Sequence, residues 1–102
     1  KELILTGQRF TAADACGWGL VNSVCDPASL QATALASAEL VARNAPLSVR
    51  QAKQSIHRGL QMSLRDGMAF EVECYNRLVP TEDRREGVLA FHEKRRPAFR
   101  GR

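Results

Sequence analysis

The residues best suited to chemistry lie at the end of the sequence. There "PTEDRREGVLAFHEKRRPAFRGR" (80–102) sets Lys94, Arg95, Arg96, Arg100 and Arg102 beside Glu86, Glu93, Phe91 and Phe99. Bases beside aromatic rings suit a phosphate carrying a stacked nucleobase, so these residue types fit a small phosphorylated ligand as well as a nucleic acid. The interleaved acids weaken the polymer reading. Other reactive side chains converge less. His57 and His92 stand apart, with no second ligand at helical spacing, which argues against zinc. Glu71 and Glu73 flank Val72 and on a helix point in different directions, so they do not share a substrate. Cys16, Cys25 and Cys74 form an odd set without C-x-x-C spacing and read as reduced core thiols of an intracellular protein. Neither "DACGWG" nor "VECYN" has the strand-to-helix elbow of a nucleophile, and the 7 glycines are scattered singly rather than gathered in a phosphate loop.

The elements that must position these residues are punctuated clearly. Thr11 with Asp14 three residues on predicts a short helix through "AADACGWG", followed by the β-leaning "LVNSVCD". Asp26 as N-cap and Pro27 at the first helical position open an alanine-rich helix that Asn44-Ala45-Pro46 stops. Val49, Ala52, Ile56 and Leu60 give a second, amphipathic helix ending near Gly59. Ser63 and Asp66 start a third, whose stripe Leu64, Met68, Val72, Tyr75 and Val79 reads as core before Pro80 ends it. Thr81 caps the last helix, with Glu82 and Asp83 at its positive end and Lys94 to Arg96 at its negative end, and it packs through Val88, Leu89 and Phe91. Pro97 forbids its continuation.

With 102 residues the chain supports one small domain with little reserve of buried surface. Its 15 Lys and Arg are set against 11 Asp and Glu, a formal charge of +4, too balanced for a strong polyanion binder. No apolar run is long enough for a membrane span, and the first residues lack a signal-peptide layout, so a soluble protein is expected. The start "KELILTGQ", without methionine and on an apolar run, suggests a piece of a longer protein. A mainly α subdomain that needs a neighbour is the resulting expectation.

Two stretches carry a family resemblance. "ELILTGQRFTAADACGWGLVNSVCD" resembles a strand, a TG-x-R-F-x-A turn, a short helix and a GLVN-x-V strand. "TEDRREGVLAFHEKRRPAFRGR" is similar to a terminal [ST]-x-D-x-x-EG-x-x-AF-x-EKR-x-P-x-F-x-G helix and tail. Both belong to the pattern of the enoyl-CoA hydratase/isomerase (crotonase) family, and "APLSVRQAKQSI" and "FEVECY" match in placement between them. The resemblance implies a crotonase-like fold. Residues 1–26 would be the end of its β/α spiral core, with strand, short helix and strand. Residues 27–102 would be its C-terminal helical oligomerisation region, forming a trimer or a dimer of trimers. It also implies that the oxyanion hole and catalytic glutamates lie upstream of Lys1, so that Glu71, Glu73, Glu82 and Glu86 take no catalytic role. What carries over is a share of the coenzyme A site. Tyr75 and Lys94 match the family's adenine-side aromatic and its phosphate-side lysine, the lysine reaching over from a neighbouring subunit, and Phe91 is a third candidate.

The implied function is the C-terminal part of an acyl-CoA-processing enzyme, in first place an enoyl-CoA hydratase, inactive alone. Its substrate is a coenzyme A thioester and no cofactor is permanently bound. The compartment implied is the bacterial cytoplasm or the mitochondrial matrix. The competing reading is a stand-alone helical module whose basic last helix binds RNA or an acidic partner.

Overall fold

The computed structural model describes all residues, Lys1–Arg102. Its regular structure is entirely helical, and it divides into two compact units, Lys1–Ala36 and Ser37–Arg102.

In the first unit the expected opening strand is instead a short helix, α1 (Glu2–Thr6), closed by Gly7 in the left-handed region at φ 63°. The reason lies in backbone satisfaction. A strand needs a partner for its N–H and C=O groups, and none lies beside this segment, whereas a helical turn satisfies them locally. Leu5 N–H donates to the Lys1 carbonyl at 3.0 Å, and the Thr6 hydroxyl to that of Glu2 at 2.9 Å. The second expected strand fails for the same reason: residues 20–26 form no ladder. The capped helix is present as α2 (Ala12–Gly17). Thr11 Oγ1 accepts the Asp14 N–H at 3.1 Å, and the Asp14 carboxylate accepts the Thr11 N–H at 3.0 Å. The Thr11 hydroxyl, which donates to the Asp14 carboxylate at 2.6 Å, and after it the Thr11 backbone N–H hold the Asp14 carboxyl below its ordinary pKa. Phe10 and Trp18 pack with ring centroids 5.5 Å apart. Asp26 makes no side-chain cap; Pro27–Ser29 form a 3₁₀ turn that leads into α3 (Leu30–Ala42).

Asn44 ends α3 by donating its side-chain amide to the carbonyls of Leu40 and Val41 at 3.0 and 3.3 Å. In the second unit α4 (Pro46–Gly59) and α5 (Leu64–Asn76) pack as a hairpin. Ser63 caps α5 as its spacing predicts, accepting the Asp66 N–H at 3.2 Å. The two helices approach closely where they meet: a Cβ on Gly67 would lie 3.3 Å from the Gly59 carbonyl oxygen. Cys74 is buried at 2% exposure. All three cysteines are free, with Cys16 and Cys25 half-buried.

The apolar stripe of α5 is not core. From Leu64 to Val79 its members are exposed, Tyr75 by 55%, because α4 covers the Cys74 side of α5 and nothing opposes the rest. The last helix, α6 (Glu82–His92), is also oriented differently from its expected packing. Val88, Leu89 and Phe91 are exposed, Phe91 by 82%, while Ala90 and Asp83 are buried. The cause is the segment after the helix, which folds back along α6 and occupies the Asp83 side.

Candidate functional site

Lys94 has a backbone geometry that none of the other lysines or arginines shares. It is the one non-glycine residue of the chain with positive φ, at 52°. It occupies the first position beyond the α6 C-cap, Glu93. Its N–H donates to the Phe91 carbonyl at 3.3 Å, and the Arg95 N–H donates to that of Ala90 at 3.0 Å. This pair of bonds is the Schellman arrangement, whose left-handed residue is ordinarily glycine because a Cβ there costs energy. A lysine in that position, exposed to solvent, carries strain of the kind that collects at ligand contacts.

The neighbours of Lys94 are fixed by charge. Arg95 reaches back to Glu86 with two hydrogen bonds, 2.6 and 2.9 Å, and its Nε donates to Glu93 at 2.6 Å. Glu86 also accepts the Ala98 N–H at 2.7 Å. The Arg95 guanidinium, followed by that N–H, pulls the Glu86 carboxyl down to about 2, and the Glu86 and Glu93 carboxylates raise Arg95 in turn. Buried Asp83 accepts the N–H groups of Arg100 and Gly101 at 2.6 and 2.7 Å. Its own N–H donates to the Arg102 carbonyl at 3.0 Å. Phe99 then lies over Gly87, and Gly101 lies against Pro46.

Tyr75 lines a groove of about 360 Å³ between α4 and α5, together with Gln51, Ser55, Ile56, Cys74 and Leu78. The Oε1 of Gln51 is buried there without a hydrogen-bond partner. Phe91 lines a second cavity of about 360 Å³ with Ala45, Ser48, Gly87, Val88 and Phe99. Ser48 belongs to both, but Lys94 lines neither. The three candidates therefore do not form one pocket within a single chain. In the sequence Asp83 and Glu86 stand out only as helix-end and interspersed charges. The signal that could have found them is the match between the acids of α6, spaced three apart, and a short basic tail broken by Pro97 and Gly101.

A sequence profile described as enoyl-CoA hydratase/isomerase matches residues 1–102. The chain belongs to that family. It is 41% identical over 96 residues to the short-chain-enoyl-CoA hydratase of Clostridium acetobutylicum, covering 94% of this chain and 37% of that protein. It is 42% identical over 106 residues to the mitochondrial enoyl-CoA hydratase domain-containing protein 2 of Mus musculus, covering 100% of this chain and 36% of that protein. The crystal structure of an enoyl-CoA hydratase from Bacillus anthracis superposes with a TM-score of 0.97 at 42% identity, covering 100% of this chain and 40% of that one. The chain thus spans well under half the length of these family members and shares the fold of the part it matches. No helix in it is long and apolar enough to cross a membrane.

Proposed function

We propose that this chain is the C-terminal part of an acyl-CoA-processing enzyme, in first place an enoyl-CoA hydratase, to which it contributes one wall of the coenzyme A site and an oligomer contact. The family membership and the hydratase names of the relatives support the reaction class. The observation that carries the site is Lys94, an exposed cation kept in a left-handed turn where glycine would be less strained.

In this reading the chemistry is addition of water across a 2-enoyl thioester. Stabilisation of the enolate by backbone N–H groups and proton transfer by glutamates fall to residues outside those matched here. Lys94 offers its ammonium to a phosphate of coenzyme A, a screened contact worth about 1 kcal/mol or less. Tyr75 presents its ring on the adenine side and Phe91 adds apolar surface. Because Lys94 and Tyr75 do not share a cavity in one chain, the lysine would serve the site of a neighbouring subunit in a trimer or dimer of trimers. The proposed compartment is the bacterial cytoplasm or the mitochondrial matrix.

The test is Lys94→Gly in the full-length enzyme. Removing the Cβ from a left-handed position stabilises the fold by about 1 kcal/mol, while loss of the ammonium raises KM for the acyl-CoA several-fold. A more stable protein with unchanged KM would refute the assignment. The residues 1–102 alone should show no hydration of crotonyl-CoA, and measurable turnover would show that the catalytic groups are misplaced.

A further inference from the structure

Beyond Pro97 the returning segment donates the amides of Ala98, Arg100 and Gly101 to carboxylates of α6, and its one backbone bond to the helix is the Asp83 N–H donating to the Arg102 carbonyl. Asp83 receives two successive amides, from Arg100 and Gly101. Glu86, one turn further along α6, receives the Ala98 amide and both terminal nitrogens' reach of Arg95. A forked guanidinium bound across a carboxylate fixes orientation as well as distance. Lys94 lies between Glu93 and Arg95, which are joined to each other at 2.6 Å, and its own N–H is held by Phe91. The left-handed turn is therefore held from both sides, by the helix end before it and by the Glu86–Arg95 pair after it. Strained backbone persists only where its surroundings over-determine it. Here the surroundings that do so are nameable.

We propose that Glu86, acting through Arg95, is the positioning residue for Lys94. Its carboxylate latches the returning tail onto α6, holds the left-handed turn, and so aims the Lys94 ammonium away from the helix toward an anionic ligand. Glu86 itself touches no substrate. Asp83 secures the far end of the same tail, so loss of the Glu86 bond loosens the turn without releasing the segment. The inference rests on the reading of Lys94 as a contact for the phosphate end of an acyl-CoA.

A double-mutant cycle in the full-length enzyme separates the two claims. Lys94→Gly comes first: an unchanged KM for the acyl-CoA sinks the reading of Lys94, before Glu86 is altered. Where Lys94→Gly raises KM, Glu86→Gln should also raise it several-fold with kcat unchanged, since Gln keeps the size and an acceptor for Ala98 but loses the charge that holds Arg95. In the Lys94→Gly background the same Glu86→Gln change should have no further effect on KM. An equal rise in both backgrounds would overturn the proposal, because Glu86 would then act independently of Lys94, and so would an unchanged KM for Glu86→Gln in the otherwise natural protein. Arg95→Lys provides a second route, keeping the charge while removing the fork. It should raise KM in the natural background and leave it unchanged in Lys94→Gly, and the opposite pattern would count against the latch.

Discussion

Glu86 shows how one carboxylate gains more than one partner. Its two oxygens take the Arg95 guanidinium and the Ala98 amide, and the hydrogen bond from Arg95, followed by that from Ala98, lowers its pKa from 4.5 to about 2. The groups facing it are Arg95, with Glu93 behind it, and Arg100. A carboxyl whose folded pKa is depressed contributes stability that is complete above its unfolded value and disappears as pH falls through the folded one. The latch should therefore hold at pH 4.5 and release as pH approaches about 2. Following the Ala98 amide resonance through an acid titration would check this, and a midpoint near the ordinary glutamate value would show that the bond contributes nothing. Lys94 belongs to the same scale. Its residue type was legible in the sequence through the terminal motif, but its left-handed backbone was not, since lysine is a poor choice for a turn where glycine is the expected residue.

At the scale of elements, the caps were the most legible feature. Thr11, Ser63 and Thr81 each accept a backbone N–H three residues on, because capping depends only on residues adjacent in sequence. What depends on distant partners was not legible. The apolar run 3–5 and the β-leaning stretch 20–26 both read as strand, yet without a neighbouring strand the first is helical and the second forms no ladder. The direction α6 faces was also hidden, because it is decided by a tail that bonds Asp83 from 17 and 18 residues away. Close helix approach can be tested directly. Gly67 lies against backbone atoms of Gly59, with the carbonyl oxygen 3.3 Å from where a Cβ would stand. Gly67→Val should force the α4–α5 hairpin apart and cost about 2 kcal/mol in denaturant unfolding, in the range of overpacking penalties. An unchanged or raised stability would mean that the crossing is looser than the distances indicate.

At the scale of the whole molecule, the exposed apolar surface has to be accounted for. Leu64, Met68, Val72, Tyr75 and Val79 all lie open on or just beyond α5, as do Leu30, Leu35, Leu40 and Val41 on α3. A monomer rarely leaves an apolar helical stripe such as that of α5 in water, where each buried methylene would stabilise by about 0.8 kcal/mol. The stripe was legible as helical periodicity; its burial was not, because periodicity identifies the apolar face without saying what covers it. If the segment serves oligomer contacts, as proposed, residues 1–102 produced alone should self-associate, giving a light-scattering mass above that of one chain at micromolar concentration. Met68→Glu, a charge placed in the middle of the stripe, should return the mass to that of a monomer while the helix content stays the same. A natural chain that is already monomeric would count against the α5 stripe as the oligomer contact. Association that survives Met68→Glu would place the contact on another face.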